Sequence, residues 1–274
     1  MANTHLHDHA VPDGLKTIAK GHFPFSLACP SFIFRADYVE NVCRLAPFVD
    51  EIQLLFFESR FEDSLPSPAL IDRLTELGRE KSLTYSVHLP SDIFLGHLEK
   101  EERQFAADVL IDIIRRCAPL APSTFTLHLE RDPSETNDQR WQANTTATLE
   151  SVLETGVDSR CISIENLNYD FRLAAPIVEA LDLSVCMDMG HLLAHGRTLA
   201  PFYHYWQDRI PVVHIHGVDD SRDHLPLDRL STDHATDLLN LIGGFGGVVT
   251  VEVYSVGGLE ASLGWLKERV MGDG

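Results

Sequence analysis

Asp188 and His191, in the run Cys186-Met187-Asp188-Met189-Gly190-His191, stand just beyond a short apolar segment, where a buried strand gives way to a loop. An Asp three residues before a His offers one hard oxygen and one borderline nitrogen, a mixture that zinc, manganese or iron accepts. Alone, the Asp reads as readily as a helix N-cap or turn former. The same kind of ending recurs along the chain. β-prone runs finish at Glu58, at His88, at His128 and Glu130, at Glu165, at Asp188, at His214 and His216, and at Glu252. Charged and imidazole groups converging on one place would repel unless metal, protons or substrate compensated them, and a metal cluster is the economical account.

Those groups need elements to carry them. Short β-prone runs at 25–30, 51–57, 84–89, 124–129, 161–166, 183–188, 212–217 and 248–254 alternate with longer stretches of helical periodicity. The periodicity predicts helices over 68–81, 98–117, 140–155 and 259–270, a short one over 174–180, and the weakest around 201–207. Eight βα units in this length match a (β/α)8 TIM barrel, an α/β fold whose active sites form at the C-terminal strand ends. A doubly wound sheet is the alternative. No Gly-x-Gly-x-x-Gly follows any strand, and Gly243-Gly244-Phe245-Gly246-Gly247 precedes one instead. Residues 1–22, with His5, His7 and His9, read as a flexible tail, and 23–274 as a single catalytic domain.

The formal net charge of -19 disfavours a nucleic-acid partner, because such binding draws on Lys and Arg meeting phosphates. No run is long enough to span a membrane and the first twenty residues lack a secretory apolar core, so a cytoplasmic protein with no membrane partner is expected. Cys29, Cys43, Cys117, Cys161 and Cys186 are scattered without a C-x-x-C pair and read as reduced residues, those in strands behaving as small hydrophobes.

The ordered set Val87-His88-Leu89-Pro90, Leu127-His128-Leu129, Ile164-Glu165-Asn166, Met187-Asp188-Met189-Gly190-His191, Val213-His214-Ile215-His216 and Val251-Glu252-Val253 resembles the xylose isomerase-like barrels that include the endonuclease IV type apurinic endonucleases. Within them, Ser31-Phe32-Ile33-Phe34, the run from Leu45 to Leu54, and Tyr85-Ser86-Val87-His88-Leu89-Pro90 look like the cobamide-remodelling hydrolases, which cleave the phosphoribosyl bond in the nucleotide loop of B12-type cofactors. The resemblance implies one or two divalent ions, zinc, manganese or iron. His88, His128 and Glu165 would hold one; Glu165, Asp188, His216 and Glu252 a second, with His214 sharing the strand face of His216. A third metal in the endonucleases uses the counterpart of His191 and an Asp-x-His pair. Here Arg222 stands where that Asp would be, two places before His224.

On this resemblance the small-molecule substrate is a cobamide, and the catalytic set is Glu165, His191, Arg222, His224 and Glu252. Arg222 or His224 would steady the phosphate, and His191 would assist the departing ribose oxygen. Glu58, Phe32, Phe57 and Tyr169 are the expected substrate contacts. The competing reading is a single-metal sugar or sugar-phosphate isomerase or epimerase. Glu165, Asp188, His216 and Glu252 would hold its ion and the two glutamates would move protons beside a carbonyl. A non-catalytic barrel that binds a small molecule is the third.

Overall fold

The computed structural model describes residues 14–61, 64–219 and 222–270. Strands β1 (Ser26–Pro30), β2 (Glu51–Leu55), β3 (Thr84–His88), β4 (Phe125–Leu127), β5 (Ile162–Glu165), β6 (Ser184–Asp188), β7 (Val212–Ile215) and β10 (Val248–Val251) form a closed, all-parallel barrel, β10 pairing with β1. All eight strands expected from sequence are present. A hairpin of β8 (Gly217–Asp219) and β9 (Arg222–Leu225), read from sequence as a loop, follows β7.

Strand alternation sorts the side chains. Val87, Leu127, Ile164, Met187, Val213 and Val251 face outward into the large core shared with the helices, while Ala28, Cys186, Val212 and Val248 form a small cluster inside the barrel. Above that cluster the inward positions are polar and almost fully buried: Gln53, Ser86, His88, Thr126, Ser163, Glu165, Asp188, His214, Thr250 and Glu252. Such a layer is expensive to desolvate without partners, so it exists for what it does at the mouth.

Helices α1 (Tyr38–Leu45), α2 (Pro68–Lys81), α3 (Lys100–Cys117), α4 (Asp138–Leu153), α5 (Ala175–Ala180), α6 (Met189–Ala194), α7 (Leu199–Trp206), α8 (Thr232–Ile242) and α9 (Val256–Val270) follow the strands. Local chemistry sets their ends. Ser67 caps α2 by accepting from the Leu70 amide, Pro68 occupies its first turn, and the chain leaves through Ser82 at φ 50. On α3, Val109, Ile113 and Cys117 are buried along one face and Glu101 and Glu102 lie off it. Sequence periodicity did not announce α1, α6 or α8, and the loop expected after β6 is helical from Met189.

The described part of the expected tail, residues 14–22, runs from α9 to the starts of the strands: the Lys16 and Thr17 amides and the Thr17 hydroxyl donate to the Glu260 carboxylate, and Ala19 is fully buried. The Lys20 ammonium donates to the Ala46 and Lys81 carbonyls, just before β2 and β3. His5, His7 and His9 lie outside the described residues.

Candidate active site

Glu165, at the end of β5, is the hub. Its Oε2 lies 3.6 Å from His88 Nε2, 3.3 Å from His128 Nε2 and 3.3 Å from His214 Nδ1, and its Oε1 lies 3.4 Å from His191 Nδ1. Four imidazoles from four strand ends thus meet one carboxylate that is 1 % exposed. Burial opposes its charge, but the surrounding imidazoles, His128 and His214 foremost, hold it well below the ordinary carboxylate range.

Asp188 divides its two oxygens. Oδ1 caps α6 by accepting from the His191 amide at 2.6 Å, so the cap reading of this Asp holds. Oδ2 is buried, has no hydrogen-bond partner among the described residues, and lies 3.9 Å from His214 Nδ1. Asn166 fixes this residue by its backbone, its Oδ1 accepting from the Asp188 amide (2.9 Å) and its Nδ2 donating to the Asp188 carbonyl (2.8 Å).

The pairing of β6 with β7 sets Asp188 beside His214, and His214 Nδ1 lies 3.0 Å from Glu252 Oε2. Glu165, Asp188, His214 and Glu252 therefore present donor atoms all within 4.8 Å of one another, as do His88, His128 and Glu165. His216, the ligand that the resemblance implies, is placed differently. It shares the inward face, but stands one step beyond the end of β7 and groups with His191 and His224. His216 Nδ1 accepts the His224 amide at 2.9 Å, and its Nε2, 3.3 Å from Asp188 Oδ1, is buried without a hydrogen-bond partner among the described residues. His224, held at φ 52 in the hairpin, stacks on His216 with ring centroids 4.3 Å apart. Gly190 makes room, since a Cβ there would come within 2.0 Å of the His216 ring.

Fully buried donor atoms without hydrogen-bond partners among the described residues include His128 Nε2, His214 Nδ1, Asp188 Oδ2 and Glu252 Oε2. Orphaned atoms of this kind are costly, and here they converge, so the mixed nitrogen and carboxylate donors fit divalent ions. Without an ion the carboxylates recruit protons instead. Burial works against charge on His128 and His191, yet Glu165 (for His128) and Asp188 with Glu165 (for His191) outweigh it, and both rings are pushed up to about 10. His224 is similarly pushed up to about 9, mainly by Glu252 against its burial.

A family model described as the xylose isomerase-like TIM barrel matches residues 49–269. The chain belongs to the xylose isomerase-like TIM barrel family. Among solved structures, this xylose isomerase-like barrel is similar to a D-tagatose 3-epimerase-like protein (TM-score 0.75, 20% identity, covering 89% of this chain and 96% of that one). It is similar also to endonuclease IV from Thermus thermophilus (0.67, 19%, 89% and 99%) and to a 3-keto-D-glucoside 4-epimerase from E. coli (0.67, 17%, 89% and 99%). At these identities the likeness is one of fold. Compared by sequence with curated proteins, the chain finds no significant match. Among the described residues no helix is long and apolar enough to cross a membrane.

Other expected site residues of this xylose isomerase-like barrel are less uniform. Phe57 sets its edge toward His88 at 5.6 Å, and Phe32 stands 39 % exposed on a cleft of about 730 Å³ that it shares with Phe34, Arg35, Arg44 and Tyr254. Tyr169 spends its hydroxyl on the Leu129 carbonyl and its ring against Trp141, a packing role. Glu58 is exposed beyond the end of β2, and Arg222 is ion-paired to Asp219 at 2.6 Å on the outer hairpin, not turned to the cluster.

Three residues at the site were missed in sequence. Tyr254 donates to Glu252 Oε1 at 2.8 Å, Asn166 clamps Asp188, and Gln53 Nε2 meets His214 Nε2 at 2.8 Å. Period two from the Glu252 position would have flagged Tyr254; Gln53 carries no signal beyond being polar in an apolar strand.

Proposed function

We propose that this barrel is a metal-dependent phosphodiester hydrolase, and that its substrate is the phosphoribosyl bond in the nucleotide loop of a cobamide. The observation that carries the hydrolase reading is the second nitrogen set. His88 and His128 close on the Glu165 oxygen that His214 also meets, so two donor groups share one carboxylate. A single-metal isomerase needs only the group Glu165, Asp188, His214 and Glu252. Divalent ions held there would supply Lewis acidity toward a water and a phosphoryl oxygen, with charge neutralisation that a chain of net charge -19 otherwise lacks.

The chain's own residues complete the chemistry. His191 and His224, with side chains 15 % and 25 % exposed, are the imidazoles of the mouth outside the two donor groups that would hold ions, and in the metal-free protein the neighbouring carboxylates raise both above the ordinary imidazole range. They are the groups to steady a phosphate oxygen and to protonate a departing ribose oxygen. His224 and Arg222 remain the residues proposed to steady the phosphate, Arg222 from the exposed hairpin where it is ion-paired to Asp219. Tyr254 anchors Glu252 and walls the aromatic cleft, which offers a large flat substrate a resting face. The resemblance of the segments around Phe32 and His88 to cobamide-remodelling hydrolases is what suggests the substrate.

The second reading is a sugar epimerase. The group Glu165, Asp188, His214 and Glu252 is complete by itself, with a glutamate from β5 and one beyond β10 on either side of His214. The solved structures similar in fold are mostly epimerases, and they favour this reading over the cobamide one. Metal count with product analysis decides. Two ions per chain with release of the nucleoside from a cobamide supports the hydrolase; one ion, an intact cobamide and turnover of keto sugars replaces it with the epimerase.

A further inference from the structure

Cys186 lies inside the barrel, on the same face of β6 as Asp188, and is paired across the sheet with Glu165. Its Sγ is 4.0 Å from Glu165 Oε2. Donor atoms of Glu165, Cys186 and His214 all lie within 4.8 Å of one another. Below, the residue packs with Ala28, Val212 and Val248. His214 Nδ1 is the independent sign of a ligand here: the side chain is 0 % exposed, and the nitrogen, 3.3 Å from Glu165 Oε2 and within 4.8 Å of the sulfur, has no hydrogen-bond partner among the described residues.

Typical zinc distances of roughly 2.3 Å to sulfur and 2.0–2.2 Å to oxygen put two donors of a tetrahedral shell roughly 3.5 Å apart. Closing the observed gap of 4.0 Å to that value needs about half an ångström of movement. A χ1 adjustment of Cys186 supplies it. In the metal-free protein burial pushes the thiol up to about 12, so the sulfur keeps its proton and donates weakly to Glu165.

We propose that Cys186 is a metal ligand of this site, joining Glu165 and His214 when a thiophilic divalent ion binds and biasing the site toward zinc, cobalt or ferrous iron over manganese and magnesium. The inference rests on the metal centre proposed above and adds its selectivity. On binding, the S–H bond breaks, the sulfur lone pair goes to the ion and the proton leaves to solvent; nothing is oxidised or reduced. Thiolate is a soft donor, and one such ligand among carboxylates and imidazoles changes which ions compete.

Cobalt(II) titration of the full chain carrying His5→Ala, His7→Ala and His9→Ala, the background called wild type below, tests this. Visible d–d bands report occupation of the centre by any ligand set, whereas a near-ultraviolet thiolate-to-cobalt charge-transfer band requires a cysteine. The wild type is expected to show both. Cys186→Ser and Cys186→Ala are expected to keep the visible bands, lose the near-ultraviolet band, and give up at least tenfold of the preference for zinc over manganese in competition. Visible bands without charge transfer in the wild type would overturn the proposal, as would a charge-transfer band that survives in both variants. Absence of visible bands would sink the metal centre itself, a separate failure. The wild-type spectrum decides even if a variant does not fold.

Discussion

Replacing Gln53 by Leu asks how much of the metal site is carried by a residue that would not touch the metal. The Gln53 amide and the His214 ring are both fully buried and meet at 2.8 Å, Nε2 to Nε2, while Gln53 Oε1 has no partner among the described residues. For His214 to give the Nδ1 lone pair to an ion, the ring proton must sit on Nε2. Turning the Gln53 amide over brings Oε1 to accept it and relieves the orphaned oxygen at once. Leu fills similar space with no acceptor. The variant loses a hydrogen bond of about 1 kcal/mol and strands an N–H that costs about 1–3 kcal/mol when unpaired. Because that cost falls on the metal-binding tautomer, affinity should drop roughly 10- to 100-fold, the range seen when outer partners of ligating histidines are removed. The assay is titration of metal-free protein with zinc against a chelator of known affinity. Gln53→Glu, which restores an acceptor, should recover most of the loss. Zinc affinity unchanged within about twofold in Gln53→Leu would refute the tautomer argument and leave Gln53 as polar filler in the barrel.

Other outcomes follow from the same geometry. His88→Ala should lower bound metal by one ion per chain and abolish hydrolysis together; unchanged metal and rate, by elemental analysis and turnover, would make His88 a structural residue. Gly190→Ala, with its Cβ within 2.0 Å of the His216 ring, should cost about 1–3 kcal/mol in denaturant unfolding and displace His216 from Asp188; full stability would show that the loop yields freely. Metal-free protein should have a pH-dependent stability with a definite sign. His128 and His191, raised from 6.5 to about 10, and His224, raised to about 9, contribute stability that is full below pH 6.5 and is lost as pH climbs through 9 to 10. Glu165 and Glu252, depressed from 4.5, contribute stability present above that value and lost in acid. Thermal melts across this range should fall on the alkaline side without metal, and zinc should flatten that fall; a melting temperature still rising between pH 7 and 10 without metal would contradict the charge assignment. Abasic duplex DNA should remain un-nicked at any salt concentration, since a chain of charge -19 has little to hold a phosphate backbone, and robust nicking would displace the cobamide reading.

The barrel was legible because each strand is both short and periodic, and His88, His128, Glu165, Asp188 and Glu252 were legible because each ends such a strand. His214 and His216 could not be separated in the same way. Alternation gives both the same face, and the choice depends on height along the barrel axis, which the pairing of Asp188 with His214 sets between strands distant in sequence. Arg222 was expected to steady a phosphate, and the β8–β9 hairpin sets it beside Asp219. The α6 helix was hidden by its brevity and by Gly190, a residue that weakens helical expectation and is needed for contact with His216. Gln53 and Asn166 act through partners far along the chain, and nothing local to them announces it.

The segment running from α9 to the starts of the strands governs how metal can be counted at all. Removing His5, His7 and His9, which would pick up stray ions, invites a cut at Phe23, just ahead of the first strand. That cut would strip Thr17 and Lys16 from Glu260, uncover the site of Ala19 and release Lys20 from two carbonyls. The shortened protein would then report the metal content of a loosened barrel. A cut before Gly14 removes the three histidines and leaves the clasp intact, so the boundary chosen at one end of the molecule decides whether a stoichiometry measured at the other can be believed.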